Sequence, residues 1–156
     1  MRAMYEELRT SEREIIEIAF PGAVDLVVIA RFTAATVGAR AGFDLDEIDD
    51  LRLAVDELSV SFGPLDGDTC LRYEFLRDGG SVTVRCTREP ISHPTRDSID
   101  SYDDGSGRSE RDLEYWQNAR ELSAVLLDEL VDFHGRDINE GRSVAWLTKH
   151  RSTGNG

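Results

Sequence analysis

The sequence predicts an α+β fold, a two-layer α/β sandwich in which a mixed β-sheet carries helices on one face. The main observation is the order of the segments, which is strand, helix, helix, hairpin, helix, strand and strand. The second is the length of 156 residues, about that of one domain with an ordinary core. We therefore divide the chain into an N-terminal extension (1–13), a single domain (14–151) and a tail (152–156).

Residues 14–20 are rich in β-branched side chains and precede Pro21-Gly22, a pattern that predicts the first strand. Residues 23–41 carry apolar side chains at helical spacing, and Gly42 is a plausible stop for this first helix. A second helix is predicted from Asp44 onwards. Asp44 and Glu47 have the spacing of a capping box, in which each side chain bonds the other's backbone N–H group.

The second half of the chain begins with alternating apolar residues at 69–76 and 81–86, which flank Asp78-Gly79-Gly80 and predict a β-hairpin. Residues 89–110 are rich in Ser, Asp, Gly and Arg, as in a lid-like or flexible insert. A helix is predicted at 113–130. After it we expect a short strand at 131–133, a polar turn at 137–141 and a final strand at 143–148.

The formal net charge of −13 argues against direct binding to nucleic acid, which requires a basic surface. Lys149 is the only lysine, and no cluster of basic residues is visible. No apolar run approaches the roughly 20 residues that span a bilayer, and the N-terminal residues do not resemble a signal peptide. We therefore expect a cytoplasmic protein. Cys70 and Cys86 lack metal-ligand spacing and read as half-buried thiols in the sheet.

The most specific motif is Leu53-Ala54-Val55-Asp56-Glu57 in the second predicted helix. Together with its surroundings at 49–62, it resembles the N-box helix of the anti-sigma-factor kinases (RsbW-like), which belong to the GHKL (histidine-kinase-like) ATPase superfamily. The topology fits along nearly the whole chain, whereas recognisable motif is confined to residues 20–62. The resemblance implies the GHKL (Bergerat) type of sandwich, with Glu57 at the general-base position. Without the resemblance, Glu57 reads as a solvated residue on an acidic helix.

Ser61 stands one helical turn after Glu57, where the resemblance implies a magnesium-binding asparagine. A serine hydroxyl can bind magnesium, but its side chain is shorter and lacks the amide oxygen. The predicted N-box therefore keeps the acid and alters the metal ligand.

A second motif of the family, Asp-x-Gly-x-Gly, should follow the hairpin directly and contact adenine. At that place the chain has residues 86–90, Cys-Thr-Arg-Glu-Pro. A formal match, comprising Asp103, Gly105 and Gly107, occurs inside the insert, where it reads either as an adenine site or as part of a lid or linker. The phosphate-facing Gly-x-Gly of the family maps to Gln117 and Ala119, whose side chains would obstruct close backbone approach.

The resemblance also implies ATP and Mg as cofactors, serine/threonine kinase activity, homodimerisation, and two partners: a sigma factor and an anti-anti-sigma (STAS-type) protein. Because all three nucleotide motifs are altered, we expect a regulator that sequesters a sigma factor by binding it and is relieved by the antagonist. The alternative is an active kinase that phosphorylates that antagonist. A sensor-kinase fragment is disfavoured, since no helical phosphoacceptor histidine precedes the N-box.

Overall fold

The helices and strands follow one another in the order expected from the sequence. The computed structural model describes residues 12–65, 67–91, 110–140 and 142–154. The strands are β1 (Arg13–Pro21), β2 (Thr69–Asp78), β3 (Ser81–Pro90), β4 (Phe133–Asn139) and β5 (Arg142–His150), and the helices are α1 (Val27–Arg40), α2 (Leu45–Val60) and α3 (Glu110–Leu130). One turn of 3₁₀-helix (Val24–Leu26) precedes α1. No helix among these residues is both long and apolar enough to cross a membrane.

The strands form one sheet in the order β1-β2-β3-β5-β4, and every neighbouring pair is antiparallel. The expectation of a mixed sheet was therefore wrong. α1 and α2 lie between β1 and β2 in the chain. After these two helices the chain enters β2 antiparallel to β1. α3 is the element that the structure describes between β3 and β4. These two strands run parallel to each other, but β5 lies between them and pairs antiparallel with both.

The helices cover one face of the sheet, as the sequence predicted. Tyr73 and Phe75 of β2 and Val84 of β3 are fully buried on that face, against Leu51 and Leu58 of α2 in the same core. The alternate positions along the strands face outwards and are more exposed. Each buried side chain of this size contributes about 1.5–3 kcal/mol relative to an exposed one, so the core fixes α2 firmly on the sheet.

The predicted capping box at the start of α2 is confirmed. The Glu47 N–H group donates to Asp44 Oδ1 over 2.9 Å, and the Asp44 N–H group donates to Glu47 Oε2 over 2.8 Å. The Ser152 N–H group also donates to Glu47 Oε1, over 2.6 Å. Burial alone would raise the pKa of Glu47, but these hydrogen bonds and the nearby charge of Lys149 outweigh it and lower the pKa. The segment after β5 is thereby tied to α2.

The last two strands differ most from the sequence prediction. The strand predicted at 131–133 is instead β4 (Phe133–Asn139), which includes Asp137, a residue expected in a polar turn. Gly135 lies beneath the Trp146 ring, where an added Cβ would come within 2.8 Å of the ring. β4 therefore contains a glycine and several polar residues, and its sequence lacks the alternation of apolar and polar residues that predicts a strand.

The predicted insert at 89–110 is only partly within the described residues. Glu89 and Pro90, assigned to its beginning, belong to β3 and continue the hairpin. Glu110, assigned to its end, is the first residue of α3. Residues 92–109 lie outside the described residues, so the insert as such stays a prediction.

Candidate functional site

The two predicted N-box residues lie at the C-terminal end of α2, on the side that faces α3. Glu57 is half-buried, and its carboxylate Oε2 accepts a short hydrogen bond from the hydroxyl of Ser123 on α3. This contact joins α2 to α3 across their interface. The residue assigned as general base thus bonds a neighbouring helix, an arrangement that stabilises the packing.

Ser61 follows α2 directly as its C-cap residue and is only 5% exposed. Its hydroxyl donates to the Leu58 carbonyl over 2.6 Å, a common way to satisfy a free carbonyl at a helix end. No cluster of three or more His, Cys, Asp or Glu side chains is found in the described ranges. With Glu57 bonded to Ser123 and Ser61 to Leu58, these residues fit a magnesium site poorly.

The positions that correspond to the phosphate-facing glycines lie inside α3. Gln117 and Ala119 come more than one full turn after Glu110, the first residue of the helix. Backbone N–H groups there donate to carbonyls four residues earlier and are not available to a phosphate. α3 therefore does not present a free helix N-terminus at these two residues.

The remaining nucleotide-site predictions stay untested. Asp103, Gly105 and Gly107 lie outside the described residues. Thr87 and Arg88, found where the adenine-reading motif would begin, are part of β3. Arg88 donates from Nη1 to the Phe62 carbonyl over 2.9 Å and so holds the end of α2 against the sheet.

A cavity of about 280 Å³ lies between the end of α2, the middle of α3 and strands β4 and β5. Ser61 and Ser123 are in its wall, so the structure does bring one predicted site residue to a cavity. Its other lining residues are Leu58, Arg120, Ala124, Leu127, His134, Gly135, Arg136 and Ala145. His134 Nε2 lies 2.7 Å from Asp128 Oδ1.

Sequence reasoning missed the two arginines of this cavity. Arg120 comes from the middle of α3 and Arg136 from β4, in a stretch predicted neither as a strand nor as a site. No motif joins them in the sequence. With 17 arginines in the chain, composition gives no signal that singles out these two.

A second feature is the apolar outward face of α1. Val28, Ile29 and Phe32 are exposed there, Phe32 by 63%, and Val24 in the preceding turn is exposed as well. The opposite face of α1 is buried, and its buried residues are Val27, Ala30, Ala34, Val37 and Gly38. Contiguous exposed apolar residues on a helix commonly mark a surface that binds another protein.

The chain is similar to proteins called serine-protein kinase RsbW from three strains of Bacillus cereus (B4264, G9842 and ATCC 10987 / NRS 248). Each is 30% identical to it over 71 residues, which are 46% of this chain and 39% of the relative. The chain thus matches well under half the length of these curated relatives. No protein-family model matches the chain.

Proposed function

We propose that this protein is a cytoplasmic anti-sigma-type regulator, which controls transcription by sequestering a sigma factor and is relieved by an anti-anti-sigma antagonist. The observation that carries the proposal is the local similarity to RsbW together with the engagement of Glu57 by Ser123. The first points to the class of regulator. The second favours binding over catalysis, since a general base must reach the proton it removes.

A binding regulator needs a surface for its partner, and the outward face of α1 is the best candidate. Phe32 lies four residues after the exposed Val28 and three after the exposed Ile29, so its side chain neighbours both of them on the outward face of the helix. A few residues near the centre of an interface carry most of its binding energy, and Phe32 has the largest side chain on this face. We assign the sigma factor to this face.

The experiment is affinity capture from the native cell lysate, followed by transcription in vitro with the sigma factor that is identified. The protein should inhibit transcription by that sigma factor, and Phe32→Glu should weaken the inhibition at least tenfold. Leu45→Glu is the matched control, because Leu45 is 80% exposed at the first position of α2, where an acidic residue is favourable. The proposal fails if neither a sigma factor nor an antagonist is captured, or if the identified factor is not inhibited.

The alternative is an ATP-dependent serine/threonine kinase acting on the antagonist. Its support is the word kinase in the names of the similar proteins and the retained carboxylate of Glu57. Calorimetric titration with ATP, with and without magnesium, tests it directly. Magnesium-dependent binding that disappears in Glu57→Ala would favour the kinase over the pure binding regulator.

We also propose a homodimer, which the family resemblance implies. The measurement is light scattering on the purified chain at several concentrations. A mass of one chain at all concentrations would rule the dimer out without affecting the sigma-factor proposal.

A further inference from the structure

A row of apolar side chains runs along the outward side of α3. It consists of Tyr115, Ala119, Leu122 and Leu126. These residues are spaced four, three and four apart, which places them along one side of the helix, as in the seam of a coiled coil. Tyr115 and Leu122 are largely exposed, whereas Ala119 and Leu126 are half-buried at the inner edge of the row. We call this surface the α3 stripe.

The α3 stripe is distinct from the side of α3 that holds the helix in the fold. The buried residues of α3 are Ser123 and Leu127, and Ser123 bonds Glu57 of α2. Since successive helical residues point about 100° apart, Leu122 does not share the direction of Ser123. Single exposed apolar residues are common on proteins, but a row of them along one helix is typical of a surface that binds another helix.

Tyr115 is supported at the start of the α3 stripe by its neighbour. Its ring meets the ring of Trp116 edge-on, with the two centroids 5.4 Å apart. An aromatic side chain that is already ordered loses little conformational entropy when a partner covers it. Tyrosine is also enriched among the residues that dominate the binding energy of protein interfaces. Tyr115 is therefore suited to anchor a partner at this end of the stripe.

A row of acidic side chains borders the α3 stripe on its outer edge. Glu114, Glu121 and Asp128 follow one another at intervals of seven residues, so they lie nearly in line along the helix, and all three are exposed. Asp128 Oδ1 lies 2.7 Å from His134 Nε2. In the described part of the chain, Glu114 and Glu121 form no ion pair. The surface thus joins apolar contact area to negative charge that the fold itself does not neutralise.

The C-terminal end of α3 adds to this negative charge. Asp128 and Glu129 lie in the last turn, where the helix has no basic residue. Carboxylates at this end are unfavourable, because the free carbonyl groups already carry partial negative charge. Lys149 of β5 donates to the Leu130 carbonyl over 2.8 Å, but α3 supplies no cation of its own there. Positive side chains of a partner would relieve this repulsion.

We propose that the α3 stripe binds an amphipathic helix of another protein, whose apolar face is bordered by lysines or arginines. The apolar side chains of that helix would pack against Tyr115 and Leu122, and its basic side chains would meet the acidic row. A second copy of this chain suits the surface less well, because it would bring its own acidic row and a net charge of −13. The proposal goes beyond the proposed function and does not require it, since the sigma factor is assigned to α1.

The test is fluorescence anisotropy with the purified full chain and two labelled synthetic peptides of the same length as α3. The first peptide has leucines at alternating spacings of three and four residues, with lysines beside them, and the second has glutamates in place of the lysines. The salt concentration is about 0.15 M, at which exposed charges more than about 8 Å apart are largely screened. We expect saturable binding of the lysine peptide, at least tenfold tighter than that of the glutamate peptide.

Leu122→Glu should weaken binding of the lysine peptide at least tenfold, because it places a charge in the middle of the α3 stripe. The variant should fold, since Leu122 is exposed and both residues are good helix formers. Leu113→Glu is the matched control. Leu113 is also exposed on α3, but it lies near the helix start, where an acidic residue is favourable, and two residues from Tyr115, so the two side chains do not face each other.

Glu121→Lys should weaken binding of the lysine peptide about three- to tenfold, because it reverses a charge in the acidic row. Glu17→Lys is the control for net charge, since it makes the same change at an exposed position of β1. Phe32→Glu on α1 should leave binding of the peptide unchanged.

Binding of the lysine peptide that is weakened in Leu122→Glu and Glu121→Lys, and kept in the control variants, supports the proposal. It is overturned if the lysine peptide shows no saturable binding, or if both peptides bind equally well. Equal losses in Glu121→Lys and Glu17→Lys would also overturn it, because binding would then follow net charge alone. A loss in Phe32→Glu instead of Leu122→Glu would place the peptide on α1, and self-association abolished by Leu122→Glu would assign the stripe to a second copy. Each of these last two results contradicts the proposal, and neither decides whether a sigma factor is captured.

Discussion

The carboxylate of Glu57 accepts a hydrogen bond from Ser123, so the acid at the N-box position is joined to α3. The two residues come from helices that pack against each other beside the cavity, and their contact crosses that interface. A carboxylate that could act as a base in one setting here also holds two helices together. The strength of this contact can be measured without assuming any activity.

A double-mutant cycle with Glu57→Ala and Ser123→Ala should show coupling between the two side chains. We expect Ser123→Ala alone to lower the free energy of unfolding by about 1–3 kcal/mol, because it leaves a half-buried carboxylate without its donor. The coupling energy should be about 1 kcal/mol or more, measured by urea denaturation. Strictly additive effects would show that the hydrogen bond contributes nothing to stability.

Gly135→Ala should destabilise the fold by about 1–3 kcal/mol, because the new Cβ would come within 2.8 Å of the Trp146 ring. Gly67→Ala is the matched control, since nothing lies within 4 Å of a Cβ at Gly67. Thermal unfolding measures both. Trp146→Leu should partly rescue Gly135→Ala, because leucine has no atoms in the place of the clashing indole atoms Cζ2, Cε2 and Nε1. Equal effects at the two glycines would contradict the close approach.

Tyr73→Phe should leave stability unchanged or raise it by about 1 kcal/mol. The Tyr73 ring is fully buried between Phe20 and Phe75, and its hydroxyl has no nitrogen or oxygen partner in the described ranges. Burial, and then the nearby Cys86 thiol, raise the pKa of that hydroxyl well above its usual value. Removing the hydroxyl therefore removes a desolvated group and keeps the aromatic packing. A loss of more than 1 kcal/mol in denaturant unfolding would show that the hydroxyl makes a favourable contact.

Glu14 should make the stability of the fold sensitive to acid. Its carboxylate bonds Arg40 of α1 and Arg77 of β2, and these hydrogen bonds lower the pKa of Glu14 from 4.5 to about 2. Because the folded-state pKa is depressed, the contribution is present above pH 4.5 and is lost as the pH falls towards 2.

The variant Glu14→Gln should therefore lose about 1–2 kcal/mol at pH 7 and show a flatter stability profile between pH 4.5 and 2. This range is below the full value of the shift, since the Arg40 side chain is 54% exposed and water screens it. Glu17→Gln, on the same strand at an exposed position, should keep the acid sensitivity of the original chain. An unchanged profile in Glu14→Gln would assign the acid sensitivity to other groups.

The parts of the fold that the sequence predicted well are those governed by local chemistry. Asp44 and Glu47 predict the start of α2 because all the groups of a capping box lie within four consecutive residues. β4 was placed wrongly because Gly135 serves a contact with Trp146 on another strand, which no local pattern shows. The directions of the strands were also not predicted correctly. They depend on how the helices between two strands cross the sheet, which the sequence does not show locally.

The residues of the candidate site also fall into a group that a local sequence motif predicted and a group that only the fold brings together. Glu57 and Ser61 were predicted because residues 49–62 resemble the N-box helix of the anti-sigma-factor kinases, a resemblance that rests on a short local motif. Arg120 and Arg136 were not, because they meet only when α3 packs across the sheet beside β4. A site assembled from an interior helix position and an edge strand leaves no short motif behind.

The hydrogen bond from Ser152 to Glu47 joins residues 105 positions apart. During synthesis α2 can form before Ser152 is made, but its first turn lacks this donor until residue 152 has left the ribosome. Chains that stop before Ser152 would carry a buried carboxylate with one hydrogen bond fewer, and such a group loosens the helix start. The start of α2 therefore reaches its full stability only after β5 and Ser152 have been made and have docked against it.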